Sequence, residues 1–92
     1  MSSVENCEGA NVDTGKFIQQ TFPVLEQEIA QGEGEYLTAM LNVRGCAVTA
    51  HSEIVTAIRG DFANEPAVNA AALYNIVENK INTDFVSSCS AI

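Results

Sequence analysis

Cys7, Cys46, Cys89 and His51 are the residues of this 92-residue chain whose types suggest metal or nucleophilic chemistry. His51 is the single histidine, five residues after Cys46 and two before Glu53. A catalytic Cys–His pair needs the two side chains within hydrogen-bond reach, with donors placed for an oxyanion. No other part of the sequence supplies those donors, and a histidine in the first turn of a helix is more often a solvated surface residue. A Cys₃His zinc set is the second chemistry the four residues permit. Zinc ligands usually come in closely spaced pairs, and only Cys46 and His51 approach that spacing. The third option is a disulfide with one thiol left over, drawn from Cys7, Cys46 and Cys89.

Glutamates around three glycyl and alanyl positions form a second candidate, the stretch "IAQGEGEYLTAML" from Ile29 to Leu41. It has the look of a phosphate loop opening a helix. However, Glu33 and Glu35 alternate with the glycines, and no Lys or Arg occurs between Lys16 and Arg44. An anion would meet carboxylates there. A cation site built from Glu28, Glu33 and Glu35 lacks the Asp/Asn-rich spacing of calcium loops. A helix-contact motif of Ala30, Gly32, Gly34 and Glu35 accounts for the stretch better. Glycine costs about 1 kcal/mol in a helix interior, so either a second backbone approaches closely or Gly32 ends one helix and Glu35 opens the next. The acidic pairs Glu26/Glu28, Glu33/Glu35 and Asp61/Glu65 carry no sign of a buried member, and read as a solvated face.

These residues must be positioned by helices. Residues 1–13 are polar and read as an irregular arm. Asp13 or Thr14 is placed to cap a first helix. Apolar or small residues then follow at Ile18, Phe22, Leu25, Ile29, Gly32, Tyr36, Met40 and Val43, the spacing of a single helical stripe. Pro23 predicts a kink or restart inside it, so residues 14–43 form one kinked helix or two or three shorter ones. Gly45 is a suitable left-handed stop. A further helix runs from a cap at Thr49 through "HSEIVTAIR" to Gly60. The last spans "NEPAVNAAALYNIVENKI", with Pro66 in its first turn and Leu73, Val77 and Ile81 facing the core. The fold class is all-α: a single domain over 1–92, a small bundle of about four helices with an irregular arm, a C-terminal tail and one disulfide. In an up-down arrangement the arm, the 45–49 turn and the tail share one end, so Cys46 in the turn is the favoured disulfide partner.

Composition limits the function classes. A net charge of −8, from twelve acidic and four basic residues, disfavours nucleic acid and anionic membrane surfaces. No apolar run approaches the roughly 20 residues that span a bilayer. The apolar fraction of 47% includes much alanine and no tryptophan, so the core is thin and a covalent staple would help it. The start "MSSVENCEGA" has no signal-peptide pattern, which fits either a cytoplasmic chain or an exported one with its signal removed. The closing "CSAI" formally fits a prenylation box, without the usual residues or a polybasic stretch before it.

"LEQEIAQGEGEYLTAML" resembles a motif, L-x-x-(D/E)-x-A-x-G-x-G-E-x-L, of a family of uncharacterised exported proteobacterial proteins. Leu25, Glu28, Ala30, Gly32, Gly34, Glu35 and Leu37 carry the match. The similarity covers roughly residues 16–63, extending through "HSEIVTAIRGDFA", and the family's glycine-rich N-terminal region has no counterpart here. The resemblance implies export to the periplasm or beyond and a helical C-terminal half, and no activity. Together these features predict a non-enzymatic exported helical protein without a cofactor, binding a protein partner or a second copy, or serving as a periplasmic stress chaperone. The rival reading is a metal- or thiol-dependent protein using Cys7, Cys46, His51 and Cys89.

Overall fold

Four α-helices follow one another in the computed structural model, which describes residues 9–89. They are α1 (Ala10–Gln31), α2 (Glu35–Arg44), α3 (His51–Asn64) and α4 (Ala70–Asp84), with a 3₁₀ turn at Val48–Ala50 leading into α3. The described residues contain no strand, so the expected all-α bundle is what forms. The long helix α1 packs on each of the other three. Ile18, Leu25 and Ile29 from α1 meet Leu37, Met40 and Leu41 of α2, Ile54 and Ile58 of α3, and Leu73, Val77 and Ile81 of α4 in one core.

The N-terminal boundary differs from expectation. α1 starts at Ala10 after Gly9, so residues 10–13 of the expected arm are helical, and Asp13 and Thr14 lie inside the helix rather than capping it. Residues 1–8, including Cys7, lie outside the described region. Thr14 is buried, and its hydroxyl donates to the Ala10 carbonyl at 2.6 Å. That bond lets a polar side chain extend the core-facing stripe one turn before Ile18. α1 also continues through Pro23 without a restart. The proline sits on the exposed face, where water can serve the carbonyl its missing N–H leaves free.

Gly32 ends α1 in the left-handed region, at φ +87°. Its N–H reaches the Ile29 carbonyl at 3.1 Å, and the Glu33 N–H reaches Glu28 at 3.2 Å. These crossed bonds are those of a Schellman stop. The break resets the helical phase, so the single stripe expected through Tyr36 and Val43 does not form. Leu37, Met40, Leu41 and Arg44 face inward on α2 instead, while Tyr36 is exposed. α2 ends in a second stop of the same kind at Gly45, as expected, with the Cys46 N–H bonded to Leu41 at 3.0 Å.

Two further boundaries move. Thr49 lies in the 3₁₀ turn and does not cap α3, and α3 runs past Gly60 to Asn64. Phe62 packs against the core one turn beyond Ile58, and that burial offsets the cost of an exposed helical glycine. α4 begins only at Ala70, leaving Pro66 in the preceding loop. Asn69 sets the start, because its side chain accepts from the Ala72 N–H at 2.9 Å. Leu73, Val77 and Ile81 are buried as the spacing predicts.

Candidate functional site

Cys46 and Cys89 are joined by a disulfide across 43 positions of sequence. The bond ties the turn after α2 to the tail that follows α4. Beside it, the Ala47 N–H donates to the Ser88 carbonyl at 2.8 Å. Cys46 is only 6% exposed, whereas Cys89 is partly buried. Of the three cysteines named by the sequence, the structure therefore brings these two together, while Cys7 lies outside the described residues.

His51 opens α3 next to this turn. Its Nε2 lies 3.2 Å from the Cys46 carbonyl oxygen. A carbonyl only accepts, so this contact places the proton on Nε2. The Cys46 sulfur is already bonded to Cys89, which leaves it neither a nucleophile for His51 to activate nor a thiolate ligand. The described residues hold no cluster of three or more His, Cys, Asp or Glu side chains able to bind a metal. An open groove of about 280 Å³ runs from His51, Ser52 and Thr56 across to Glu33 and Thr38.

The acidic glycine stretch is a turn with a carboxylate built into it. Glu28 projects from the last turn of α1, and its Oε1 accepts from the Leu37 N–H at 2.7 Å. Leu37 is the third residue of α2, the position a Ser or Asp cap would normally serve. Gly34, the residue before α2, carries no side chain to do so. A Cβ on Gly34 would overlap the Glu28 carboxyl group, and its φ of +158° is one that L side chains rarely adopt. Glu35 adds a second negative charge in the first turn of α2, favourable at the positive end of the helix dipole. Ala30 is exposed. Glu28 is thus engaged with backbone, and Glu33 and Glu35 are left on the surface.

A buried ion pair joins α2 to α4. Arg44, 1% exposed, donates from Nε to Glu78 Oε2 at 2.8 Å and from Nη2 to Oε1 at 3.2 Å. This two-pronged geometry satisfies both carboxylate oxygens. Tyr74 stands one turn before Glu78. Its phenol is pushed above the ordinary tyrosine range by burial and by the Glu78 carboxylate, against the opposing pull of Arg44 and a hydrogen bond with Asn11. The signal in the sequence was Arg44 standing in the inward phase of Leu37, Met40 and Leu41. Asp61, by contrast, meets Lys80 at 3.5 Å near the surface.

Residues 2–89 fit the model of a family described as a protein of unknown function, DUF3015. No curated protein and no solved structure matches the chain.

Proposed function

We propose that this chain, which belongs to the DUF3015 family of proteins of unknown function, is a small exported helical protein that binds a protein partner and performs no catalysis. The observation that carries the reading is the Cys46–Cys89 disulfide. Such bonds persist in oxidising compartments such as the periplasm and are rare in the cytosol. The strongly acidic composition supports a protein partner over nucleic acid. So do valines left in water at Val48, Val68 and Val86, which sit in turns where a partner can reach them. The described residues include no helix long and apolar enough to cross a membrane.

Thiol alkylation followed by intact-mass measurement under denaturing conditions tests the compartment. Protein taken from its native cells with thiols trapped at lysis should carry one alkyl group before reduction and three after it. Three groups at the outset would place the chain in a reducing compartment and overturn the reading. The chaperone form of the proposal predicts that acidification through about pH 4, where carboxylates lose their charge, raises binding of a hydrophobic dye. Unchanged dye binding would remove that form and leave the simpler binding role.

A further inference from the structure

We propose that the Cys46–Cys89 bond is an exchangeable latch, opened from the Cys89 side by a dithiol oxidoreductase that docks on the apolar rim around it. The inference rests on the disulfide reading above and adds a partner class and a regulated state to it.

Three observations converge on this end of the bundle. The two cysteines are unequally covered, with Cys46 6% exposed and Cys89 more open. An attacking thiolate therefore reaches Cys89 more readily, and access decides which sulfur is attacked. Next, Val48 is 75% exposed and Val86 62% exposed, two residues after Cys46 and three before Cys89. The Ala47–Ser88 hydrogen bond holds their two segments side by side. Exposed apolar side chains beside an accessible disulfide suit an enzyme that must seat an extended segment before exchange. Finally, α4 has already ended at Asp84, so residues 86–88 form a turn outside any helix. Beyond the disulfide, Ala47 to Ser88 is the backbone hydrogen bond that joins the tail to the α2–α3 turn among the described residues. Opening the bond frees the tail while the core layers of α1 to α4 remain packed, and it turns the buried Cys46 into a free thiol.

The chemistry balances in two steps. A thiolate of the partner attacks Cys89 Sγ, and the Cys46–Cys89 bond breaks. The electron pair leaves on Cys46 Sγ, which takes a proton from water, and a mixed disulfide links Cys89 to the partner. The partner's second thiol, as thiolate, then attacks its own sulfur in that mixed disulfide and releases Cys89 as a thiolate that is protonated in turn. The chain disulfide is reduced to two thiols and the partner dithiol is oxidised to a disulfide.

The test uses the full chain with Cys7→Ser, oxidised in vitro and verified by mass, so that its result is independent of where the protein resides in cells. It is mixed with a thioredoxin-type reductase whose resolving cysteine is replaced by alanine. A trapped adduct mapping to Cys89 is expected, and Val48→Asp with Val86→Asp should slow its formation several-fold without changing reduction by a small dithiol. After reduction, amide exchange should accelerate roughly tenfold or more in residues 46–50 and 85–89, with α1 and α3 unchanged. No adduct, an adduct at Cys46, or unchanged exchange after reduction would overturn the latch. Loss of helicity throughout the chain on reduction would also overturn it, since the bond would then be a staple that the whole fold requires.

Discussion

At its N-terminus the ten-residue helix α2 receives a carboxylate from the helix before it, and at its C-terminus it gives a guanidinium to α4. The first contact, Glu28 Oε1 to the Leu37 N–H, spans nine positions and lies at a surface turn that two glycines make possible. The second, Arg44 to Glu78, spans 34 positions and lies almost wholly out of water. Hydrogen-bond geometry is good in both, yet their energetic roles differ. A cap contributes by satisfying one backbone donor. A buried ion pair contributes little as a pair, but losing one partner leaves a charge where water cannot reach it. The turn should therefore respond mildly to substitution and the buried end more strongly. The same C-terminal end also carries the covalent tie through Cys46, so the ion pair and the disulfide lie within three residues of each other.

Glu78→Gln should cost about 3 kcal/mol in denaturant unfolding, because the buried Arg44 guanidinium loses a two-pronged carboxylate partner. Replacing both residues, with Arg44→Met and Glu78→Leu, should recover most of that loss. A cost below about 1 kcal/mol for Glu78→Gln would show that this end behaves like a surface pair after all.

At the opposite end the effect should be smaller and should reveal coupling. Gly34→Ala should destabilise by about 2 kcal/mol, since its Cβ displaces the Glu28 carboxyl group and its φ is strained. Glu28→Ala alone should cost about 1 kcal/mol, the usual value of a lost cap. Combined, the two changes should cost less than their sum, because the alanine has already evicted the capping group. Simple additivity would mean that Gly34 is required for backbone conformation alone.

Gly60 supplies a third contrast among the glycines. It lies in the exposed interior of α3 with no atom near the position of an added Cβ. Gly60→Ala should therefore raise stability by about 0.5–1 kcal/mol, opposite in sign to Gly34→Ala.

The smallest expected effect is in alkali. Tyr74 holds its proton more tightly when folded, since burial and the Glu78 carboxylate raise its pKa. The folded state then binds more protons than the unfolded chain above about pH 10, so stability present below that pH should decline as pH rises past it. Tyr74→Phe should flatten the decline, and phenolate absorbance of the folded protein should show the late titration directly.

Legibility differed between the two ends of α2 in the same way. Gly45 was identifiable as a stop because a glycine after a run of helical apolar residues has a local meaning. Leu73, Val77 and Ile81 were identifiable because a core face repeats every three or four residues. Gly32 left two options open, since a helix end and a helix crossing both use glycine at a stripe position. Gly60 and Thr49 misled, because a local stop or cap signal yields when burial of a residue such as Phe62 continues the helix. Asp13 or Thr14 suits a cap by residue type, whereas both lie inside α1 and the Thr14 hydroxyl is satisfied within its own helix.

What the amino-acid sequence determined by itself is the helical class, the stripes of α1 and α4 that became part of the core, the acidic composition and the presence of cysteines able to pair. All of these depend on side chains a few positions apart, within reach of one helical turn, or on composition. Only the tertiary structure decided that Cys46 pairs with Cys89, that Arg44 finds Glu78 and that Glu28 caps a helix other than its own. Each of these choices joins groups from different elements, and loop geometry and packing bring them together. A chain pattern contains the candidates for such pairings, but the distance that selects among them exists only after the helices have packed.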